Sequence, residues 1–165
     1  MLLYPKLYLN SVKEITLDLI KENNLKGIIL DVDNTLVDYY KQIPEGIKEW
    51  AVKVKQNDVK LFVLSNSNNK KKVESIAKAL GVEYINFAFK PLKRGFKKAA
   101  KIMKLDPTKI GVVGDQIFTD VLGANRSGMF SILVKPLNEK DLFITRFNRW
   151  MEKRIIRKIE KNGVN

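Results

Sequence analysis

The sequence predicts an α/β fold: a mostly parallel sheet with helices on both faces, in a single domain. Two observations carry this expectation. Five short runs are apolar on both of their faces, and helical patterns or polar punctuation separate each from the next. The size agrees, since 165 residues that are 45% hydrophobic and 30% charged suit one domain burying about 70% of its unfolded surface.

The elements follow in order. Ser11-Val12-Lys13-Glu14 reads as a capping box for a first helix carrying Ile15, Leu19 and Ile20 on one face. Gly27 opens the first apolar strand, Ile28 to Val32. Pro44 suits the first residue of a helix running through Trp50 to about Gln56. Val59 to Leu64 reads as the second strand, followed by the polar cluster Ser65-Asn66-Ser67-Asn68-Asn69. A basic helix from Lys70 to Leu80 stops at Gly81, a residue suited to a left-handed cap. Tyr84 to Phe87 is a short third strand, and Leu92 to Met103 is a helix stopped by Asp106-Pro107. Ile110 to Val113 is the fourth strand, Phe118 to Arg126 a helix, and Phe130 to Val134 the fifth strand. Pro136 breaks the alternation. Beyond it, residues 140–162 read as a basic amphipathic helix, so the domain spans 1–165 around a core at about 27–134.

Composition removes whole classes of chemistry. There is no Cys, hence no disulfide, thiolate nucleophile or Cys-bound metal. There is no His, hence no imidazole base or His metal ligand. Catalysis is left with carboxylates, hydroxyls, amides, Lys and Arg, and with any hard metal ion that oxygen ligands can hold. The apolar runs are too short to span a bilayer, and MLLYPKLYLN lacks the pattern of a secretory signal, so the expected location is cytoplasmic.

In open α/β sheets, ligands bind beyond the carboxyl ends of the strands. The first strand ends there in Asp31-Val32-Asp33-Asn34-Thr35 and the second in Ser65-Asn66. Lys90-Pro91 follows the short third strand, and Gly114-Asp115 ends the fourth, with Asp120 five residues on. Taken singly, these residues make ordinary caps, turns and surface charges. Taken together in this order, they bring crowded carboxylates to one edge, which costs stability unless a cation compensates. An oxygen-only donor set favours Mg²⁺. A carboxylate beside Mg²⁺ and a lysine is suited to attack on phosphorus, and a second carboxylate can move the protons.

Ile28 to Leu36, with the sequence IILDVDNTL, resembles the first motif of the haloacid dehalogenase (HAD) superfamily. Leu64-Ser65-Asn66, Lys90-Pro91 and Gly114-Asp115 with Asp120 resemble its other motifs, in the family's order. The resemblance implies a Rossmann-like core and a Mg²⁺-dependent phosphatase working through an aspartyl-phosphate. It makes Asp31 the nucleophile and a metal ligand, and Asp33 the general acid/base with its backbone carbonyl on the metal. Ser65 would bind phosphoryl oxygens and Lys90 would neutralise them. Asp115 would be the third metal ligand, with Asp120 positioning a metal-bound water or Lys90. Asn34, Thr35 and Asn66 join the substrate-binding set.

Only 31 residues separate Asp33 from Ser65, and 24 separate Ser65 from Lys90, which leaves no room for a cap domain. An open site suits a bulky substrate or a partner that covers it. The tail at 140–162 carries eight basic and three acidic residues. Phe143, Phe147, Trp150 and Met151 form an apolar stripe that Ile155, Ile156 and Ile159 widen. Such a helix either packs on the domain or lies on an anionic membrane. The short core, the Tyr4-Pro5 and Ser11-Val12 region, and Lys90-Pro91 followed by Arg94 resemble the YqeG type of subfamily IIIA. That type is similar to phosphatidylglycerophosphate phosphatases. The substrate this implies is an anionic phospholipid, with Lys93 and Arg94 as candidates for its second phosphate and peripheral membrane association as a consequence. A soluble sugar phosphate or nucleotide is the alternative substrate. The net charge of +13 also permits an RNA- or ribosome-binding module, although no RNA-binding motif is visible.

Overall fold

The computed structural model describes residues 2–38, 40–138 and 146–161. Six parallel strands form one sheet in the order β1-β6-β5-β2-β3-β4. They are β1 (Leu7–Leu9), β2 (Gly27–Leu30), β3 (Lys60–Leu64), β4 (Glu83–Ile85), β5 (Ile110–Gly114) and β6 (Phe130–Val134). The helices are α1 (Leu17–Glu22), α2 (Ile47–Gln56), α3 (Lys70–Leu80), α4 (Lys93–Met103), α5 (Leu122–Arg126) and α6 (Arg146–Lys161). Among the described residues, no helix is long and apolar enough to cross a membrane.

The central strands are buried on both faces because each face meets its own apolar layer. Ile28, Leu30, Val63 and Val113 pack with Ile20, Trp50, Val54, Val73 and Ile76 on one side. Ile29, Phe62, Leu64 and Val112 pack with Phe96, Ala99, Met103 and Ala124 on the other. The intervals between the motifs hold one helix and one strand each, as their lengths require.

Several boundaries depart from the sequence-based expectations. Ser11 caps only the 3₁₀ turn Val12–Glu14, and Glu14 reaches back to Asn10 rather than to Ser11. Thr16 provides the cap of α1, accepting from Leu19 N–H at 3.2 Å. Pro44 lies before α2, which starts after Gly46 in a left-handed conformation with φ 86°. Strand β1 was not expected, since three residues at a sheet edge carry little pattern; it pairs with β6 from Leu7–Ile132 to Leu9–Val134. Strand β4 stops at Ile85, because Phe87 turns to a positive φ of 51°. The expected helix at 118–126 begins instead with a π turn over Ile117–Val121.

The tail is helical over Arg146–Lys161, inside the expected 140–162. Ile155 and Ile156 are partly buried against Ile117, Val121 and Leu133, so part of the stripe packs on the domain. Phe143 lies outside the described residues, and the described side chains of α6 do not include Phe147, Trp150, Met151 and Ile159.

Candidate active site

Strands β2, β3 and β5 end at one edge of the sheet, and the polar residues beyond them converge there. Asp31 sits one rung past β2, its N–H donating to Val113 O at 2.9 Å. The chain then doubles back, with the N–H groups of Leu36 and Val37 both donating to Val32 O, at 2.9 and 3.1 Å. Asn34 takes a φ of 60° in this turn, a conformation Asn tolerates better than most residues.

Lys90 is the hub of the site. Its Nζ donates to Asp31 Oδ1 at 2.6 Å and to Asp120 Oδ1 at 2.7 Å, and all three residues are buried. Burial by itself would lower the lysine pKa, but the charges of Asp120 and Asp31 outweigh it and raise it. Asp31 is pushed up to about 7, because burial and the charge of Asp120 exceed the opposing pull of Lys90. Burial, then the charges of Asp31 and Asp120, push Asp115 well above the usual carboxylate range.

Each second member of the motifs supports a first one. The Asn66 side chain brackets the Lys90 backbone, accepting from its N–H at 2.6 Å and donating to its C=O at 3.0 Å. Thr35 is buried, and its hydroxyl donates to Asp115 Oδ1 at 3.3 Å. Ser65 is buried, with its hydroxyl accepting from Ser67 N–H at 3.1 Å. Asp120 has both oxygens engaged, since Oδ2 accepts from Gln116 N–H at 3.2 Å. The π turn widens the backbone there, and the Val121 N–H reaches back to Gln116 O. Gly114 makes this possible: a Cβ at that position would stand 2.2 Å from Asp120 Cγ.

The group of close carboxylates at Asp31, Asp115 and Asp120 does not include Asp33. The Asp33 carboxylate is half-exposed, and Oδ1 accepts from Lys72 Nζ at 2.6 Å. Sequence reasoning missed Lys72, because in Lys70-Lys71-Lys72 nothing local separates one lysine from the next. Lys93 and Arg94 are exposed on the first turn of α4. Arg94 lines a cavity of about 230 Å³ at the end of β4, beside Phe87 and Phe89.

Carboxylate oxygens of Asp31, Asp115 and Asp120 lie within 4.8 Å of one another. The Lys90 ammonium, paired with both Asp31 and Asp120, offsets part of this crowding. A hard divalent cation fits the donor set, which is oxygen only, and would offset the burial and mutual repulsion that raise Asp31 and Asp115.

The comparisons agree with this geometry. Residues 1–137 match the model of the mitochondrial PGP phosphatase family. The chain is 39% identical to the probable phosphatase YqeG of Bacillus subtilis over 160 residues, covering 96% of this chain and 92% of that protein. It is 23% identical to phosphatidylglycerophosphate phosphatase 1 of Arabidopsis thaliana, covering 97% of this chain and 49% of that protein. Among solved structures, an uncharacterized protein from Listeria monocytogenes shares the fold with a TM-score of 0.58 at 22% identity, over 74% of this chain and 87% of that one. The deoxy-D-mannose-octulosonate 8-phosphate phosphatase of Haemophilus influenzae does so with a TM-score of 0.53 at 15% identity, over 83% of this chain and 90% of that one. The motifs, the parallel sheet that gathers them and the family match converge: this chain belongs to the PGP phosphatase family and is a phosphatase of the HAD type.

Proposed function

We propose that the protein is a capless Mg²⁺-dependent phosphomonoesterase that removes the terminal phosphate of phosphatidylglycerophosphate. The buried Asp31–Lys90–Asp120 arrangement carries the chemical part of this reading. One Asp31 oxygen attacks phosphorus and the bond from phosphorus to the ester oxygen breaks. Asp33 delivers a proton to the departing oxygen, leaving phosphate on Asp31. Water then attacks that phosphorus, Asp33 takes the water's proton, and inorganic phosphate leaves with Asp31 restored. Lys90 stays protonated throughout and faces the charge that builds on the phosphoryl oxygens. Asp31, Asp115 and the Asp33 carbonyl are the groups that would hold Mg²⁺, which supplies further charge compensation when bound. Asn66 holds Lys90 and Thr35 steadies Asp115, so both act through their neighbours. Ser65, Asn34, Lys93 and Arg94 complete the proposed contacts to the ester.

The lipid part rests on the family match, on the distant Arabidopsis relative and on intervals too short for a cap. The test is Mg²⁺-dependent phosphate release from phosphatidylglycerophosphate in mixed micelles, beside a panel of soluble phosphate esters. Preference for the lipid is expected, and Asp31→Asn is expected to lower turnover at least about 10³-fold with an unchanged melting temperature. Turnover of soluble esters alone would remove the lipid and leave the mechanism. Full activity in a folded Asp31→Asn variant would remove the nucleophile assignment.

A further inference from the structure

Beside Lys90 the chain exposes apolar groups that neither the core nor the chemistry uses. Side chains from Phe87 to Lys90 alternate outward and inward. Phe87 and Phe89 are 53% and 56% exposed, whereas Ala88 and Lys90 are buried. Both phenylalanines take positive φ values, 51° and 56°, which bulky L-residues adopt only under constraint. Their rings meet with centroids 4.3 Å apart, and Leu92, 54% exposed, follows within the same turn of chain. The fold thus spends conformational energy to keep these side chains in water.

The segment is also tied to the catalytic edge. Phe87 N–H donates to Ser67 O at 3.0 Å and Ala88 N–H to Ser65 O at 2.9 Å. Leu92 N–H donates to Phe89 O at 2.9 Å, and Asn66 brackets Lys90 between them. Anything seated on the two rings is therefore held in register with Lys90. Charge surrounds them: residues 86–105 include seven basic side chains and no acidic one. Lys93, Arg94, Lys97, Lys98, Lys101 and Lys104 are exposed.

We propose that Phe87, Phe89 and Leu92 form an apolar knuckle that enters the interfacial layer of an anionic phospholipid surface. Lys93, Arg94, Lys97 and Lys98 lie against its headgroups. Aromatic rings favour the boundary between hydrocarbon and headgroups, and clustered lysine and arginine favour anionic lipid. An acidic protein partner would account for the lysines but not for two rings held outward in unfavourable backbone. This inference rests on the lipid-substrate reading and adds the surface by which the open site meets its substrate.

The test is co-flotation with vesicles of phosphatidylglycerol and phosphatidylcholine in equal parts, compared with phosphatidylcholine alone. The wild-type chain is set beside a Phe87→Asn/Phe89→Asn variant and a Lys97→Gln/Lys98→Gln variant. Asn accepts a positive φ, so the first variant removes the rings and keeps the turn. Expected are binding to the anionic vesicles only, a drop of about tenfold or more in each variant, and unchanged turnover of a small soluble ester. Binding of the variants equal to wild type would overturn the proposal, as would equal binding to both vesicle types. Capture of single-stranded RNA in place of vesicles, lost in the Phe variant, would overturn it in favour of stacking on bases. The two readings fail separately. Micellar lipid turnover without knuckle-dependent flotation rejects the docking surface, whereas flotation without lipid turnover rejects the substrate.

Discussion

Two lysine–aspartate contacts of equal length stand at the same end of the sheet. Lys90–Asp31 and Lys72–Asp33 both measure 2.6 Å. The inner pair has side-chain exposures of 3% and 9%, the outer pair 15% and 50%. Inside, desolvation makes every charge depend on its partner, and Asp31 rises to about 7 even beside a cation. Outside, water shares the solvation of Asp33, so its pairing with Lys72 matters less to the fold. The difference suits the two tasks proposed for them: a nucleophile held in one place, and a proton carrier that must reach solvent and leaving group in turn.

The comparison breaks most readily at Lys90. Lys90→Met should cost about 3–5 kcal/mol of stability, because it strands Asp31 and Asp120 in a buried setting. Turnover should fall about 10²–10³-fold. Denaturant midpoints measure the first and ester hydrolysis the second. Adding Asp120→Asn to that variant should cost far less than Asp120→Asn does alone, since the carboxylate then has no ammonium to lose. Strict additivity would mean that the inner cluster is not one coupled unit.

A smaller effect is expected at Gly114. An alanine Cβ would collide with Asp120 at 2.2 Å, so Gly114→Ala should cost about 1–3 kcal/mol and displace the carboxylate that holds Lys90. A lower melting temperature together with reduced kcat is the expected result. A normal kcat would separate Asp120 from the chemistry.

The smallest stability effect belongs to the outer pair. Lys72→Met should shift stability by less than about 1 kcal/mol, because water shares the solvation of its half-exposed partner Asp33. Denaturant midpoints measure this. A stability loss matching that of Lys90→Met would erase the distinction between the two regions.

The tail sharpens a further contrast. Replacing Ile155 and Ile156 by Ser should lower the melting temperature by a few degrees, since both are partly buried against Ile117, Val121 and Leu133. An unchanged melting temperature would indicate that α6 contributes little where it packs.

Much of the inner site was legible because its residues follow short strands that are apolar on both faces. Five such runs are visible, rich in Val, Ile, Leu and aromatic residues, and parallel pairing then places Asp31, Ser65 and Asp115 at one edge. The outer parts were less so. Strand β1 is three residues long, and the starts of α1 and α2 were misplaced because Ser11 and Pro44 carry cap chemistry that the chain uses in a turn and a loop. Lys72 was hidden among three adjacent lysines, and the outward set of Phe87 and Phe89 left no mark at the end of the expected strand and just beyond it.

The sequence alone determined the layered α/β class, the absence of thiol and imidazole chemistry, and the carboxylates that follow the strands at one edge of the sheet. These are properties of residue type and spacing, which apolar periodicity and donor chemistry express locally. Tertiary structure decided which of the many lysines is buried between Asp31 and Asp120, which one reaches Asp33, and that Asn66 and Thr35 act on their neighbours. It also decided that two phenylalanines face outward beside the site. Burial and hydrogen-bond partners depend on residues distant in the chain, and a charge takes its pKa and its role from those neighbours.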